Sequence, residues 1–229
     1  MTPISANLQA VRERIDAAAH RFGRDPASIT LLAVSKTWPA DSVRVAAAAG
    51  QRAFGENYVQ ETIDKIVELA PLGLEWHFIG PLQSNKTRLV AEHLDWMHSV
   101  ERLKIAERLS QQRPAQLGPL NVCLQVNVSG EASKSGCTPE EAPALAAQIA
   151  ELPNIRLRGL MCIPEPADDF ETQRQPFRCL RELYENLRAQ GLPLDTLSMG
   201  MSHDMEAAIA EGATIVRVGT AIFGDRNKQ

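Results

Sequence analysis

The chain has no excess of positive charge: 24 Lys and Arg stand against 28 Asp and Glu over 229 residues, a net charge of −4. A nucleic-acid-binding domain carries a basic patch. Here the basic residues are scattered among acids, as in Val11-Arg12-Glu13-Arg14 and Glu101-Arg102-Leu103-Lys104. That is the pattern of solvated helix faces, and no nucleic-acid partner is expected. The N-terminus also lacks an apolar core behind a basic start. Ile4, Leu8, Val11 and Ile15 are spaced as one helix face and are interrupted by charges, so the segment reads as neither a signal peptide nor a membrane span. Cysteine is scarce: Cys123, Cys137, Cys162 and Cys179 form no Cys-x-x-Cys pair, and two lie in apolar runs. Buried reduced thiols in a cytoplasmic protein are expected, rather than disulfides or a metal site. The five histidines show no ligand spacing, since a strand-like segment separates His93 from His98. No low-complexity linker or shift of composition marks a boundary. The expectation is a single domain over residues 1–229, within the roughly 200–250 residues that α/β barrels reach as one unit.

What is present is one unit, repeated. After an N-terminal helix over residues 3–22, closed by Gly23, short apolar runs alternate with helical spacing. The runs read as buried parallel strands over 29–34, 52–54, 76–79, 96–100, 122–128, 157–163, 197–199 and 215–218. Helical segments fall at 41–49, 59–69, 87–92, 102–111, 140–151, 170–190 and 204–211. Thr138-Pro139-Glu140-Glu141 has the form of a capping box with proline at the first helical position, and Gly50, Gly191 and Gly212 follow helical runs. Strands alternating with helices predict a parallel sheet, and eight strands close a barrel. The fold expected is an α/β, TIM-type (βα)8 barrel with an extra N-terminal helix. An open doubly wound sheet is the alternative, but no Gly-x-Gly-x-x-Gly turn follows the first strand.

In such a barrel the chemistry sits where the strands end. The first strand ends in Val34-Ser35-Lys36 and the second in Phe54-Gly55-Glu56-Asn57. The seventh ends in Ser198-Met199-Gly200-Met201-Ser202 and the eighth in Arg217-Val218-Gly219-Thr220. Glycine and hydroxyl residues thus gather after strands seven and eight, where barrels commonly bind phosphate through loop amides. Each feature also has a plainer reading. Lys36 alone reads as a rim lysine with its amine in water, Asn57 as a helix cap, Gly200 and Gly219 as turn residues, and Met199, Met201 and Met205 as packing. His77 reads as a hydrogen-bonded core histidine. Arg217 is harder to dismiss, because a guanidinium inside a buried strand needs an acceptor, from the barrel or from a ligand. In combination, a first-strand lysine facing a phosphate site suits a phosphorylated aldehyde cofactor, because lysine forms Schiff bases well when burial or a nearby cation lowers its pKa.

The same residues resemble the pyridoxal phosphate homeostasis protein family. The similarity runs through Leu32-Ala33-Val34-Ser35-Lys36-Thr37, residues 54–61, Trp76-His77-Phe78-Ile79-Gly80 and residues 82–86. It continues through Gln125-Val126-Asn127-Val128, Lys134-Ser135-Gly136, residues 158–161, residues 197–202 with Asp204, and residues 217–224. The resemblance implies the N-terminal barrel of alanine racemase without that enzyme's second, β-rich domain. It implies pyridoxal 5′-phosphate on Lys36, with Ser198, the Met199–Ser202 turn (Gly200 included), Gly219 and Thr220 holding the phosphate. It places Arg217 beside the pyridine nitrogen and Asn57 near the ring. His203 receives no role, and no residue is expected to be catalytic.

Three functions compete. The first is a non-catalytic protein that buffers or delivers pyridoxal 5′-phosphate to apo enzymes, expected to act as a cytoplasmic monomer. The second is an amino-acid racemase, which needs an acid/base group on each face of the substrate; in the racemases one comes from the domain this chain is expected to lack. The third, a phosphosugar isomerase or aldolase, predicts no bound chromophore.

Overall fold

The computed structural model describes residues 2–130 and 135–225. Eight parallel strands close into a barrel in sequence order: β1 (Thr30–Val34), β2 (Ala53–Glu56), β3 (Glu75–Phe78), β4 (Trp96–Val100), β5 (Leu120–Gln125), β6 (Ile155–Met161), β7 (Thr196–Ser198) and β8 (Ile215–Val218). The seam is a parallel β1–β8 pairing that sets Leu32 opposite Arg217. The connecting helices are α2 (Ala40–Ala48), α3 (Val59–Leu69), α4 (Thr87–His93), α5 (Leu103–Gln112), α6 (Ala142–Ala150), α7 (Phe170–Ala189) and α8 (Met205–Ala210).

The eighth connection ends in a single turn, α9 (Thr220–Phe223), too short to cover the sheet. The N-terminal helix α1 (Pro3–Arg21) packs against α8, α9 and α2 instead, fastened by Asn7 on the Ile222 carbonyl and by an Arg14–Glu206 ion pair. This explains the extra helix. Its buried stripe of Leu8, Val11, Ile15 and Ala18 matches the spacing read from the sequence.

Strand side chains alternate between two environments. Ala33, Phe54, Phe78, Met97, Val122, Leu160 and Val216 join the main core against the helices. Their neighbours face the barrel interior in two small apolar clusters: Leu32, Val34, Ala53, Ile79 and Ile215, and Trp96, Cys123 and Met161. The remaining interior is polar and buried, and includes His77, His98, Ser198 and Arg217.

The capping box of residues 138–141 forms reciprocally, Glu141 N–H donating to the Thr138 hydroxyl and Thr138 N–H to the Glu141 carboxylate. Regular α6 nevertheless begins later, at Ala142, because Pro143 has no N–H to continue the ladder. Cys123, Cys137 and Cys162 are buried free thiols as expected, whereas Cys179 is exposed on α7. Among the described residues no helix is long and apolar enough to cross a membrane, and no group of three His, Cys, Asp or Glu side chains could hold a metal ion.

Candidate ligand site at the barrel mouth

Lys36 leaves β1 on a turn that the chain holds under strain. Thr37 has φ +67°, a left-handed conformation rare for a β-branched residue and costing roughly 1–3 kcal/mol. A buried ionic cluster holds the turn from behind. The Thr37 N–H donates to Glu61 at 2.6 Å, and Lys65 Nζ reaches Glu61 at 2.6 Å, Glu56 at 2.7 Å and the Ser35 carbonyl at 2.8 Å. The Ser35 hydroxyl donates to Glu56 at 2.6 Å. Both neighbours of Lys36 are therefore fixed to α3 and β2. Burial raises the Glu56 carboxyl to about 7, against the opposing pull of Lys65 and Ser35. Only the i,i+4 spacing of Glu61 and Lys65 hinted at this cluster in the sequence.

Beyond Lys36 lies a cavity of about 320 Å³ at the C-terminal ends of the strands. Lys36, Asn57, Ser202, Arg217, Gly219 and Thr220 line it together, so residues from four separate connections meet as the sequence reading required. Trp38, Met201 and His203 also line it; Met201 belongs to the turn expected to hold the phosphate, whereas Trp38 and His203 carry no expected ligand role. Asn57 is not a helix cap: α3 starts after Tyr58 with no side-chain cap, and the buried Asn57 oxygen has no hydrogen-bond partner among the described residues. A second cavity of about 240 Å³ shares Asn57, Ile79 and Ile163 with the first, which extends the mouth toward β4 and β5.

Ser198, Met199 and Gly200, expected to hold the phosphate, are not among the residues that line the cavity. Ser198 is the last residue of β7, and its hydroxyl faces the barrel interior against His98 and Arg217. Met199, one position on, is fully buried in the helix-side core. Gly200 shapes the turn. Its φ is +95°, a Cβ there would lie 2.5 Å from the Cβ of Ala208, and its carbonyl accepts the Arg217 N–H at 2.9 Å. Only a residue without a side chain fits. Of the other lysines named by the sequence patterns, Lys86 is exposed and does not line the cavity. Lys134 lies outside the described residues.

Arg217 is 4% exposed and forms part of the cavity wall. Its Nη1 donates to Ser198 Oγ at 2.8 Å and its Nη2 to the Cys162 carbonyl at 2.8 Å. Both acceptors are neutral, and burial lowers the guanidinium pKa. His77 is a hydrogen-bonded core histidine, stacked on Trp96 with ring centroids 5.3 Å apart. His98 sits beside it, wholly buried. Burial, with His77 and Arg217 nearby, holds the His98 pKa well below the usual histidine range, so its ring is neutral.

The arrangement provides an amine on a rigid turn, a buried cation, an unpaired amide oxygen, and hydroxyls beside a glycine, all around one cavity. It suits a ligand with a carbonyl at one end and an anionic group at the other. Residues 6–227 match the alanine racemase N-terminal domain family. A Pseudomonas aeruginosa pyridoxal phosphate homeostasis protein is 64% identical over 99% of this chain and 97% of its own length. A Synechococcus elongatus protein, PipY, solved with PLP bound, superposes with a TM-score of 0.85 at 41% identity, over 96% of this chain and all of its own. A Clostridium difficile alanine racemase shares the fold, with a TM-score of 0.72 at 17% identity, over 98% of this chain and 58% of the racemase chain.

Proposed function

Since this chain belongs to the pyridoxal phosphate homeostasis protein family, we propose that it binds pyridoxal 5′-phosphate as a Schiff base on Lys36 and buffers or delivers it in the cell's vitamin B6 economy. The observation that carries the reading is the meeting of Lys36, Arg217 and the Ser202, Gly219 and Thr220 loops around one cavity. The residues fit the cofactor: the unpaired Asn57 oxygen awaits a donor, and the cavity has an amine for the aldehyde and hydroxyls for the phosphate. When bound, pyridoxal phosphate supplies an aldehyde that condenses with amines and a ring that withdraws electrons.

In this reading Lys36 is the covalent handle and the strained turn aims it. Ser202, Thr220 and the Gly219 backbone take the phosphate, and Asn57 borders the ring. Arg217 only donates hydrogen bonds, so a ring nitrogen facing it stays an acceptor and the ring is a weaker electron sink. An incoming amine can displace Lys36, a natural route of release to an apo enzyme. We assign no amino-acid turnover, one barrel domain over residues 1–229, a monomeric state and a cytoplasmic location. The buried free thiols and the dispersed exposed apolar residues Tyr58, Val67, Leu117 and Ile163 support the last two.

One observation favours a second reading, a racemase-like activity. His203 lines the same cavity and could move a proton at a substrate. The test is borohydride reduction of the loaded protein followed by peptide mapping, then incubation with L-amino acids in D2O and NMR of Cα–H exchange. A pyridoxyl group on Lys36, negligible exchange and reactivation of an apo pyridoxal enzyme support the carrier. Rapid exchange lost in Lys36→Ala and His203→Ala establishes the second reading, and an adduct wholly on another lysine overturns both.

A further inference from the structure

The barrel interior carries a continuous hydrogen-bonded chain that the proposed function does not use. It begins at Glu75, the first residue of β3, whose side chain is half exposed at the N-terminal end of the barrel. Glu75 Oε1 lies 2.6 Å from His77 Nε2, His77 Nδ1 lies 2.8 Å from His98 Nε2, and His98 Nδ1 lies 2.7 Å from Ser198 Oγ. Ser198 Oγ accepts from Arg217 Nη1 at 2.8 Å, and Arg217 forms part of the cavity wall. One polar path therefore runs through four strands, from the N-terminal end of the barrel to the ligand site at its mouth.

The chemistry of its ends orders its protons. Arg217 can only donate, and an ionised Glu75 can only accept. With the His98 ring neutral, one arrangement satisfies every link. Arg217 donates to Ser198, the Ser198 hydroxyl to His98 Nδ1, His98 Nε2–H to His77 Nδ1, and His77 Nε2–H to Glu75. The opposite order makes Ser198 accept twice and leaves its own proton without an acceptor on the chain. Hydrogen bonds that share one direction polarise one another, more strongly where the dielectric is low. The hydrogen bond from His77 also pulls the Glu75 carboxyl below its usual range.

We propose that Glu75 is a remote positioning residue for the ligand site, acting through a proton-ordered His77–His98–Ser198 relay that fixes Arg217 against the cavity. The proposal rests on the pyridoxal phosphate reading only for its effect on ligand affinity. Asp204 is the carboxylate whose charge acts on the buried Arg217; the relay's part is to orient Ser198, one of the two neutral acceptors that hold the guanidinium. It also gives Ser198 a role inside the barrel in place of a phosphate contact.

The first test is 15N–1H NMR of the histidine rings in protein freed of pyridoxal phosphate, so its outcome does not depend on the proposed function. Both His77 and His98 are expected neutral with the proton on Nε2; a proton on Nδ1 of either ring, or a cationic His98, would overturn the relay. The second is a double-mutant cycle on pyridoxal phosphate affinity. Glu75→Ala, a half-exposed substitution far from the cavity, should weaken binding on the order of fivefold, the low end of coupling between distant sites. In a Ser198→Ala background, which cuts the chain, the same substitution should change affinity by less than about twofold. Equal effects in the two backgrounds, or none in either, would overturn the proposal. Thermal unfolding of each variant confirms that the fold survives. If the protein binds no pyridoxal phosphate, the functional reading fails while the NMR result still judges the relay.

Discussion

Replacing Lys65 with Met removes the cation that holds both neighbours of Lys36, and the consequence should depend on pH in a defined way. In the native protein the Glu56 carboxyl is raised from 4.5 to about 7, first by burial, with Lys65 and Ser35 pulling it down. A raised carboxyl pKa means the folded state binds the proton more tightly than the unfolded state. The associated stability is present below the unfolded value and is lost as pH rises through about 7. Above that the native protein has nothing further to lose at this group. In Lys65→Met the downward pull of the cation is gone, the folded pKa lies higher still, and the loss continues. At about pH 5.5 Glu56 is protonated in both proteins, and the cost is that of the Lys65 hydrogen bonds to Ser35 and Glu61, about 1–3 kcal/mol. From about pH 7 to 8.5 the gap should widen by about 1.4 kcal/mol per unit, roughly 2 kcal/mol in all. At the alkaline end the total reaches the 3–5 kcal/mol, approximately, of a broken buried pair. Urea unfolding followed by circular dichroism across this range measures it, with Lys65→Met/Glu56→Gln as the control whose deficit relative to Glu56→Gln stays flat. A Lys65→Met deficit that does not change with pH would refute the reasoning, because Glu56 would then be ionised throughout.

Gly200→Ala should destabilise the fold by about 1–3 kcal/mol and weaken pyridoxal phosphate binding, because the added Cβ meets Ala208 and displaces the turn that accepts the Arg217 N–H; thermal unfolding and ligand titration report both. Combined Ser202→Ala and Thr220→Val should weaken pyridoxal phosphate more than pyridoxal, by roughly 1.5–3 kcal/mol per lost hydroxyl contact to the charged group; equal loss for the two ligands in calorimetry would remove these residues from phosphate binding. A thiol reagent near pH 7.5 should modify Cys179 quickly in the folded protein. It should leave Cys123, Cys137 and Cys162 unmodified until denaturant is added, because burial raises all three thiols to about 12. Mass mapping after quenching distinguishes the four.

The barrel was legible in the sequence because its signals are local. Apolar runs of strand length, helices of 3.6 period and glycine stops each reflect the burial of one element's face. β4, α3 and β8 therefore have the bounds read from composition and spacing alone. The mouth residues Lys36, Asn57, Ser202, Arg217, Gly219 and Thr220 were also legible, since topology alone carries strand ends to one face. What the sequence could not determine is which way a side chain turns at the point where a strand gives way to its loop. Ser198 and Ser202 are both hydroxyls in one motif. The pleat sends Ser198 inward to His98, while the Gly200 turn carries Ser202 to the cavity. The Glu56–Lys65 clamp and the Glu75-to-Arg217 chain were hidden for the same reason. Apart from Glu75 and His77, two residues apart on β3, their hydrogen-bonded members lie 9 to 100 residues apart along the chain, and only the closure of the barrel brings them within hydrogen-bonding distance.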